Sequence, residues 1–321
     1  MHSFIQLSEI YEQQFNTRHF PAQPENLYDS AQYILGLKGK RIRPASVLMG
    51  NELFAEIKPD AFFAANAIEL FHNFSLIHDD IMDKAPLRRG METVHTKYGE
   101  STALLAGDVM LIKAYEYVNQ ISPGYLQKVL SLFNQTAKEV CEGQQLDMDF
   151  ETMNDVSMDA YLHMIELKTS VLLGASLKLG AILAEANEAD SEALYSFGKN
   201  LGIAFQVQDD YLDAFGDSEK FGKQIGGDIM ANKKTFLLIH SLEVASPEIK
   251  KELFQIMETN PSDKVEKIKA IMKSLHADEW VNELKEIYFQ KAFQYLDKIS
   301  VSSERKEPLR NLAQFLIQRD Y

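Results

Sequence analysis

The chain has 321 residues, 45% of them apolar and 10% aromatic, enough to bury a sizeable core, and no segment reaches the roughly 20 uncharged apolar residues that span a bilayer. Asp and Glu number 47 against 33 Lys and Arg, a formal charge of −14. That field excludes nucleic acid and anionic membranes as ready partners, and an anionic small substrate would need metal ions as countercharge wherever the acids cluster.

From the N-terminus, "MHSFIQLSEIYEQQF" has neither the basic start and apolar stretch of a secretory leader nor the acid-poor character of a transit peptide, and it predicts a cytosolic protein. Residues 36–44, "GLKGKRIRP", set Lys40, Arg41 and Arg43 between glycines and a proline, a loop able to wrap an anion. Apolar residues then recur at three- and four-residue spacing in "AFFAANAIELFHNFSLIHDD", "TALLAGDVMLIKAYEYV", "YLQKVLSLFNQTAKEV" and "YLHMIELKTSVLLGASLKLGAILA", each predicting helix. Turn signals fall between these runs, at "FPAQPEN", "KAPLRRG", "SPGY", "ASPE" and "NPSD", and no strand-turn-strand pattern is present. The expectation is all-α: one large domain over residues 1–321, with a helical layer from about residue 245 to the end. Cys141, the single cysteine, forms no internal disulfide and reads as a small buried hydrophobe.

One motif occurs twice. "LIHDDIMD" (76–83) is echoed by "FQVQDDYLD" (205–213), an Asp-Asp-x-x-Asp box ending an apolar helical run, and the pair reads as two facing helices of one site. Positions i and i+4 share a helix face, so Asp79 and Asp83 project together with Asp80 at their edge; Asp209, Asp213 and Asp210 repeat the arrangement. Like charges so placed repel, and acids near a helix C-terminus oppose its dipole, so each box is destabilising unless a cation occupies it. Mg²⁺ suits sparse carboxylates, because it keeps waters and joins one or two carboxylates to substrate phosphates. An EF-hand is excluded: neither box has Gly at the sixth position or Glu at the twelfth.

Cations accompany the acids. Arg88 and Arg89 follow the first box, and adjacent guanidiniums offer planar forks of donors to phosphate. Lys168 and Thr169 in "ELKTSV", Lys223 in "FGKQIGGD" and Lys233 in "NKKTF" lie near helix ends or glycine turns. A solvated surface face is the plain alternative for each lysine.

Together "GKRIRP", "IELFHNFSLIHDDIMD", "LRRGMETVHTKYG", "ALLAGDVML", "EGQQLD", "ELKT", "AFQVQDDYLD", "GKQIGGDI" and "NKKT", in order from residue 36 to about 235, resemble the trans-isoprenyl diphosphate synthases, or polyprenyl synthetases. The resemblance implies helices around a deep central cavity whose mouth carries both boxes, and a homodimer. It also implies a head-to-tail condensation: an allylic diphosphate (dimethylallyl, geranyl or farnesyl) ionises, isopentenyl diphosphate attacks, and a proton leaves. By resemblance Asp79, Asp83 and Asp209 bind three Mg²⁺ ions, with Asp80, Asp210 and Asp213 in support and Mn²⁺ open as a substitute. Arg88, Lys168, Lys223 and Lys233 would hold the allylic diphosphate, and Lys40, Arg43, His72 and Arg89 the isopentenyl diphosphate. Thr169 and Gln206 would face the cation. Asp108 and Asp147 read as structural, with a secondary metal-side role open for Asp147.

Ser75 lies one turn before Asp79 and Phe71 two turns before it, where a chain growing away from the metals would pass. The family rule assigns a floor to Phe74. An aromatic there beside the small Ser75 points to the twenty-carbon geranylgeranyl product, with the fifteen-carbon farnesyl product as the alternative. A terpene cyclase would have an Asn/Ser/Glu second box and need no isopentenyl site, and a non-catalytic partner subunit would lack one box; this chain has both boxes and "GKRIRP".

Overall fold

The computed structural model describes residues 1–37, 39–153, 155–216 and 226–317. They form helices joined by short turns: α1 (Phe4–Phe15), α2 (Glu25–Leu35), α3 (Ile42–Glu52), α4 (Pro59–Met82), α5 (Val94–Tyr98), α6 (Glu100–Val118), α7 (Pro123–Thr152), α8 (Met158–Ile165), α9 (Val171–Leu183), α10 (Glu188–Phe215), α11 (Gly227–Met230), α12 (Phe236–Val244), α13 (Pro247–Thr259), α14 (Lys264–Ser274), α15 (Ala277–Lys298) and α16 (Ser303–Ile317). The all-α expectation stands, and the helix starts show why. Ser3 and Gln6 form a capping box on α1, Ser157 and Thr235 cap α8 and α12, and Ser246 with Pro247 opens α13.

Two local features differ from the periodicity reading. "KAPLRRG" carries the first strand and loop of a minimal antiparallel hairpin that closes on Met91 and Glu92, with Leu87 opposite Glu92 and Arg88 opposite Met91. Its loop residues Arg89 and Gly90 have φ of 54° and 77°, and two successive positive values are what a two-residue hairpin loop requires. The apolar run over residues 161–184 is also not one α-helix. Residues Glu166–Ser170 form a π-turn between α8 and α9.

The chain packs as two compact units. The first comprises Met1–Ala137, Ala175–Tyr195 and Ile299–Asn311. Within it α4 lies along α6 and α3, α1 covers α3, and α2 and α5 cover α6. Arg305 of α16 donates to the carbonyls of Leu53 (2.7 Å) and Glu52 (2.6 Å) at the end of α3, supplying partners that a helix C-terminus lacks. The second unit comprises Lys138–Gly174, Ser196–Lys298 and Leu312–Tyr321. Its core gathers Tyr161 and Ile165 of α8, Ile203 and Val207 of α10, Phe236 of α12, Leu253 and Ile256 of α13, Ile268 of α14 and Val281 of α15. The helices after residue 245 thus share this core with those carrying the second box. Cys141 is exposed on α7, contrary to the buried position expected from its composition class. No helix among the described residues is long and apolar enough to cross a membrane.

Candidate active site

In the first unit the acids ride on α4. The Asp83 N–H donates to the Asp79 carbonyl at 2.8 Å, so Asp83 closes the helix and stays on the Asp79 face. Asp80 turns the other way. It is 1% exposed, and its carboxylate accepts Arg88 Nε at 2.7 Å and Arg88 Nη2 at 2.7 Å, while Nη2 also lies 3.5 Å from Asp79. This bidentate pair ties the Arg88 hairpin to the acidic helix end, and Asp80 in turn raises the Arg88 pKa against the effect of burial.

Behind the hairpin lies a cationic group. Arg43 Nη1 is 3.2 Å from His72 Nε2. Burial first, then the charges of Arg43, Arg89, Arg88 and Arg41, hold His72 well below its ordinary pKa, so its imidazole is neutral and accepts from Arg43. Arg43 itself is lowered to about 10 by burial, helped by the charge of Arg89 and opposed by Glu69. Its Nε is buried with no hydrogen-bond partner. Neighbouring guanidiniums and an unsatisfied buried donor suit the binding of an anion. Arg89 Nη1 donates to the Leu37 carbonyl at 3.2 Å, and Lys40 is exposed on the same loop.

Arg41 faces inward instead. It pairs with buried Glu69, donates to the Leu35 carbonyl at 2.8 Å, lies 3.5 Å from Glu12, and sits over the Phe15 ring. It therefore anchors the loop on which Lys40 and Arg43 are mounted. One turn before the acids, Ser75 Oγ donates to the His72 carbonyl at 2.8 Å. Phe74 meets Phe71 at 5.6 Å, and Phe71, 1% exposed, meets Phe133 of α7 edge-on at 5.6 Å.

The second unit repeats the acidic arrangement on α10. Asp210 is 3% exposed and accepts Gln206 Nε2 (3.0 Å), the Tyr161 hydroxyl (3.1 Å) and the Phe236 N–H (3.4 Å). Burial and the nearby charge of Asp228 push its pKa up to about 8 against those donors. Asp209 and Asp213 stay partly exposed. The Asp213 carbonyl accepts the Gly226 N–H at 2.7 Å and its carboxylate the Asp228 N–H at 3.0 Å. The Lys233 N–H bonds back to the Asp228 carbonyl at 2.9 Å. Lys223 lies outside the described residues.

On the π-turn, Lys168 Nζ donates to Asp147 Oδ2 at 2.5 Å, with Thr169 next to it. Gly143 of α7 and Gly202 of α10 make the turn possible. A Cβ on Gly143 would stand 2.3 Å from the Lys168 nitrogen, and one on Gly202 would stand 2.8 Å from Ser170 Cα.

Residues 24–275 match the family described as polyprenyl synthetase. This chain belongs to the polyprenyl synthetase family. A geranylgeranyl diphosphate synthase of Methanosarcina mazei is 38% identical over 301 residues, 93% of this chain and 91% of that protein. A geranylfarnesyl diphosphate synthase of Natronomonas pharaonis is 35% identical over 326 residues, 95% of this chain and 94% of its own. The crystal structure of a geranylgeranyl pyrophosphate synthase, 42% identical, superposes with a TM-score of 0.94 and covers 99% of each chain.

In this polyprenyl synthetase, motif reading missed several residues around the acids. Asp228 stands last in "GKQIGGD", where it passes for an ordinary acid of a helix first turn, yet it touches Asp213 and raises Asp210. Tyr161 and Glu69 were hidden because only tertiary packing gives them partners, and Arg41, read with Lys40 and Arg43 as part of an anion-wrapping loop, pairs inward with Glu69 instead. Asp147, read as structural, holds Lys168, whereas Asp108 is exposed. Among the described residues no three Asp, Glu, His or Cys side chains converge closely enough to enclose an ion alone. The donors fit a hard divalent cation that draws further oxygens from water and substrate phosphate, as Mg²⁺ does.

Proposed function

We propose that this synthetase makes geranylgeranyl diphosphate by adding isopentenyl diphosphate head-to-tail to an allylic diphosphate, with Mg²⁺ held by Asp79, Asp83 and Asp209. It is a short-chain trans-prenyltransferase. The observation that carries the reading is the doubled box: in both copies the first and last acids keep some exposure while the middle one, Asp80 or Asp210, is buried and hydrogen-bonded. The buried acid ties the helix end to its surroundings, through Arg88 at the first box and Tyr161, Gln206 and the Phe236 N–H at the second.

When bound, the metal supplies positive charge to the departing diphosphate. The chain's own residues do the rest. Arg88, Lys168, Lys223 and Lys233 hold the allylic diphosphate, the first of them oriented by Asp80 and the second by Asp147. Arg43, Arg89, Lys40 and neutral His72 hold isopentenyl diphosphate, and the unpaired Arg43 Nε supports an anion at that place. Gln206 commits its amide nitrogen to Asp210, which leaves its carbonyl oxygen, with the Thr169 hydroxyl, to oppose the allylic cation. The growing chain passes Ser75 and ends at Phe74, backed by Phe71. A single catalytic domain over residues 1–321 is the reading, and its support is that α7 and α10 each have residues in both units. The enzyme acts as a homodimer, and the support is a row of exposed apolar side chains on α6: Leu104, Leu105, Ile112 and Tyr115.

Asp79→Ala and Asp209→Ala test the assignment. Each should lower kcat by about 100-fold or more with helical content retained, and chelation of divalent cations should abolish wild-type turnover. Near-normal turnover in either variant refutes the metal assignment.

A further inference from the structure

The helices after residue 245 carry no motif, yet one of their side chains breaks an ordinary rule. Lys264, the first residue of α14, is 0% exposed, and lysine is almost never fully buried unless paired. Its Nζ donates to the Met230 carbonyl at 3.0 Å and to Asn260 Oδ1 at 3.1 Å. Met230 ends α11, and Asn260, at φ 47°, is the left-handed cap that ends α13. The ammonium thus stands at the C-terminal ends of two helices, bonded to a backbone carbonyl at one and a side-chain amide oxygen at the other, a favourable place for positive charge.

The segment it grips runs from Gly226 to Thr235 and connects the second acidic box to Lys233. At its start, Gly226 and Asp228 donate their N–H groups to Asp213. At its end, the Lys233 N–H bonds to the Asp228 carbonyl. The α13–α14 pair holds this segment at three points. A Cβ on Gly226, whose φ is 79°, would stand 2.5 Å from Val265 Cγ1. Lys264 holds Met230. Asn232, at φ 57°, donates from Nδ2 to the Met257 carbonyl at 3.3 Å. Two positive-φ residues and a four-residue helix make a weak element on their own, because so short a helix cannot sustain itself. Its shape is imposed by what it is bolted to.

We propose that Lys264 is a positioning residue for the reaction: it fixes the segment that holds Asp228 against Asp213 and carries Lys233, and so sets the affinity for the allylic diphosphate. This rests on the reading of Lys233 as a diphosphate contact. A lysine that only filled the core would alter stability without distinguishing the two substrates.

The test is steady-state kinetics on the full chain with each substrate varied in turn, for Lys264→Met, Lys233→Ala and Val281→Ala. Val281 of α15 is 0% exposed in the same core and lies outside the segment, α13 and α14, so it serves as the stability control. Lys264→Met should raise the KM for the allylic diphosphate by about tenfold and leave the KM for isopentenyl diphosphate within about twofold, as expected for a group that orients a ligand-holding residue. Val281→Ala should lower Tm with both KM values unmoved. Equal changes in both KM values for Lys264→Met, or the same split in Val281→Ala, overturn the proposal. If Lys233→Ala leaves the allylic KM unchanged, the reading of Lys233 fails; if it raises that KM and Lys264→Met does not, only the positioning role fails. Should Lys264→Met not fold, Gly226→Ala pushes the same segment off Val265 and must give the same split, and its absence overturns the proposal equally.

Discussion

At the scale of single residues, three aspartates in a five-residue box divide their labour by where the helix points them. Asp79 and Asp83 share a face, as four-residue spacing requires, but Asp80 turns into the interior and is neutralised by a two-pronged Arg88. Asp210 does the same with Tyr161, Gln206 and the Phe236 N–H. Spacing alone made the middle acid an edge ligand; it did not show which side of α4 or α10 would be covered. Phe74, the floor that the resemblance assigns, packs on Phe71, which packs in turn on Phe133. Phe74→Ala should therefore lengthen the product by one or two five-carbon units and not without limit, since a buried aromatic pair remains below. Product chromatography with mass detection checks this, and an unchanged distribution removes Phe74 as the floor.

At the scale of elements, periodicity located the long helices that carry the motifs, α4, α6, α7, α9 and α10, but was blind to two devices that aim the cations. The Arg89-Gly90 hairpin loop occupies only two residues, too few to alternate, and its sign was a lone glycine in "LRRG". The π-turn left the apolar spacing of residues 161–184 looking continuous, because one shifted turn barely disturbs a helical pattern. Its cause lies elsewhere in the chain, in the missing side chains of Gly143 and Gly202. Gly143→Ala would force the Lys168 backbone aside at a strain of about 1–3 kcal/mol. It should lower kcat/KM for the allylic diphosphate by about 100-fold, the scale of a misplacement of roughly 1 Å at a reacting group. Gly124→Ala on the same helix meets nothing within 4 Å and should be silent. Equal kinetics for the two variants would remove the π-turn from the positioning of Lys168 and Thr169.

At the scale of the whole molecule, the fold class followed from helical spacing and the family from ordered motifs, whereas the grouping into two compact units did not. Each unit draws on segments distant in sequence, and nothing in composition marks where α7 or α10 passes from one to the other. Cys141 shows the same limit, since a small apolar residue type ended exposed on α7. Quaternary structure is foreshadowed by α6. Replacing Leu105 and Ile112 together by Asp should convert a dimer to monomer in sedimentation velocity, with helical content unchanged, and a wild-type monomer at micromolar concentration would contradict the role given to that face. The most direct test of the central claim is product identification. Purified protein is given Mg²⁺, isopentenyl diphosphate and, in separate reactions, dimethylallyl, geranyl or farnesyl diphosphate. The account predicts elongation ending at the twenty-carbon geranylgeranyl diphosphate, with one diphosphate released per condensation. Release of a cyclic hydrocarbon, or no elongation from any starter, would contradict it.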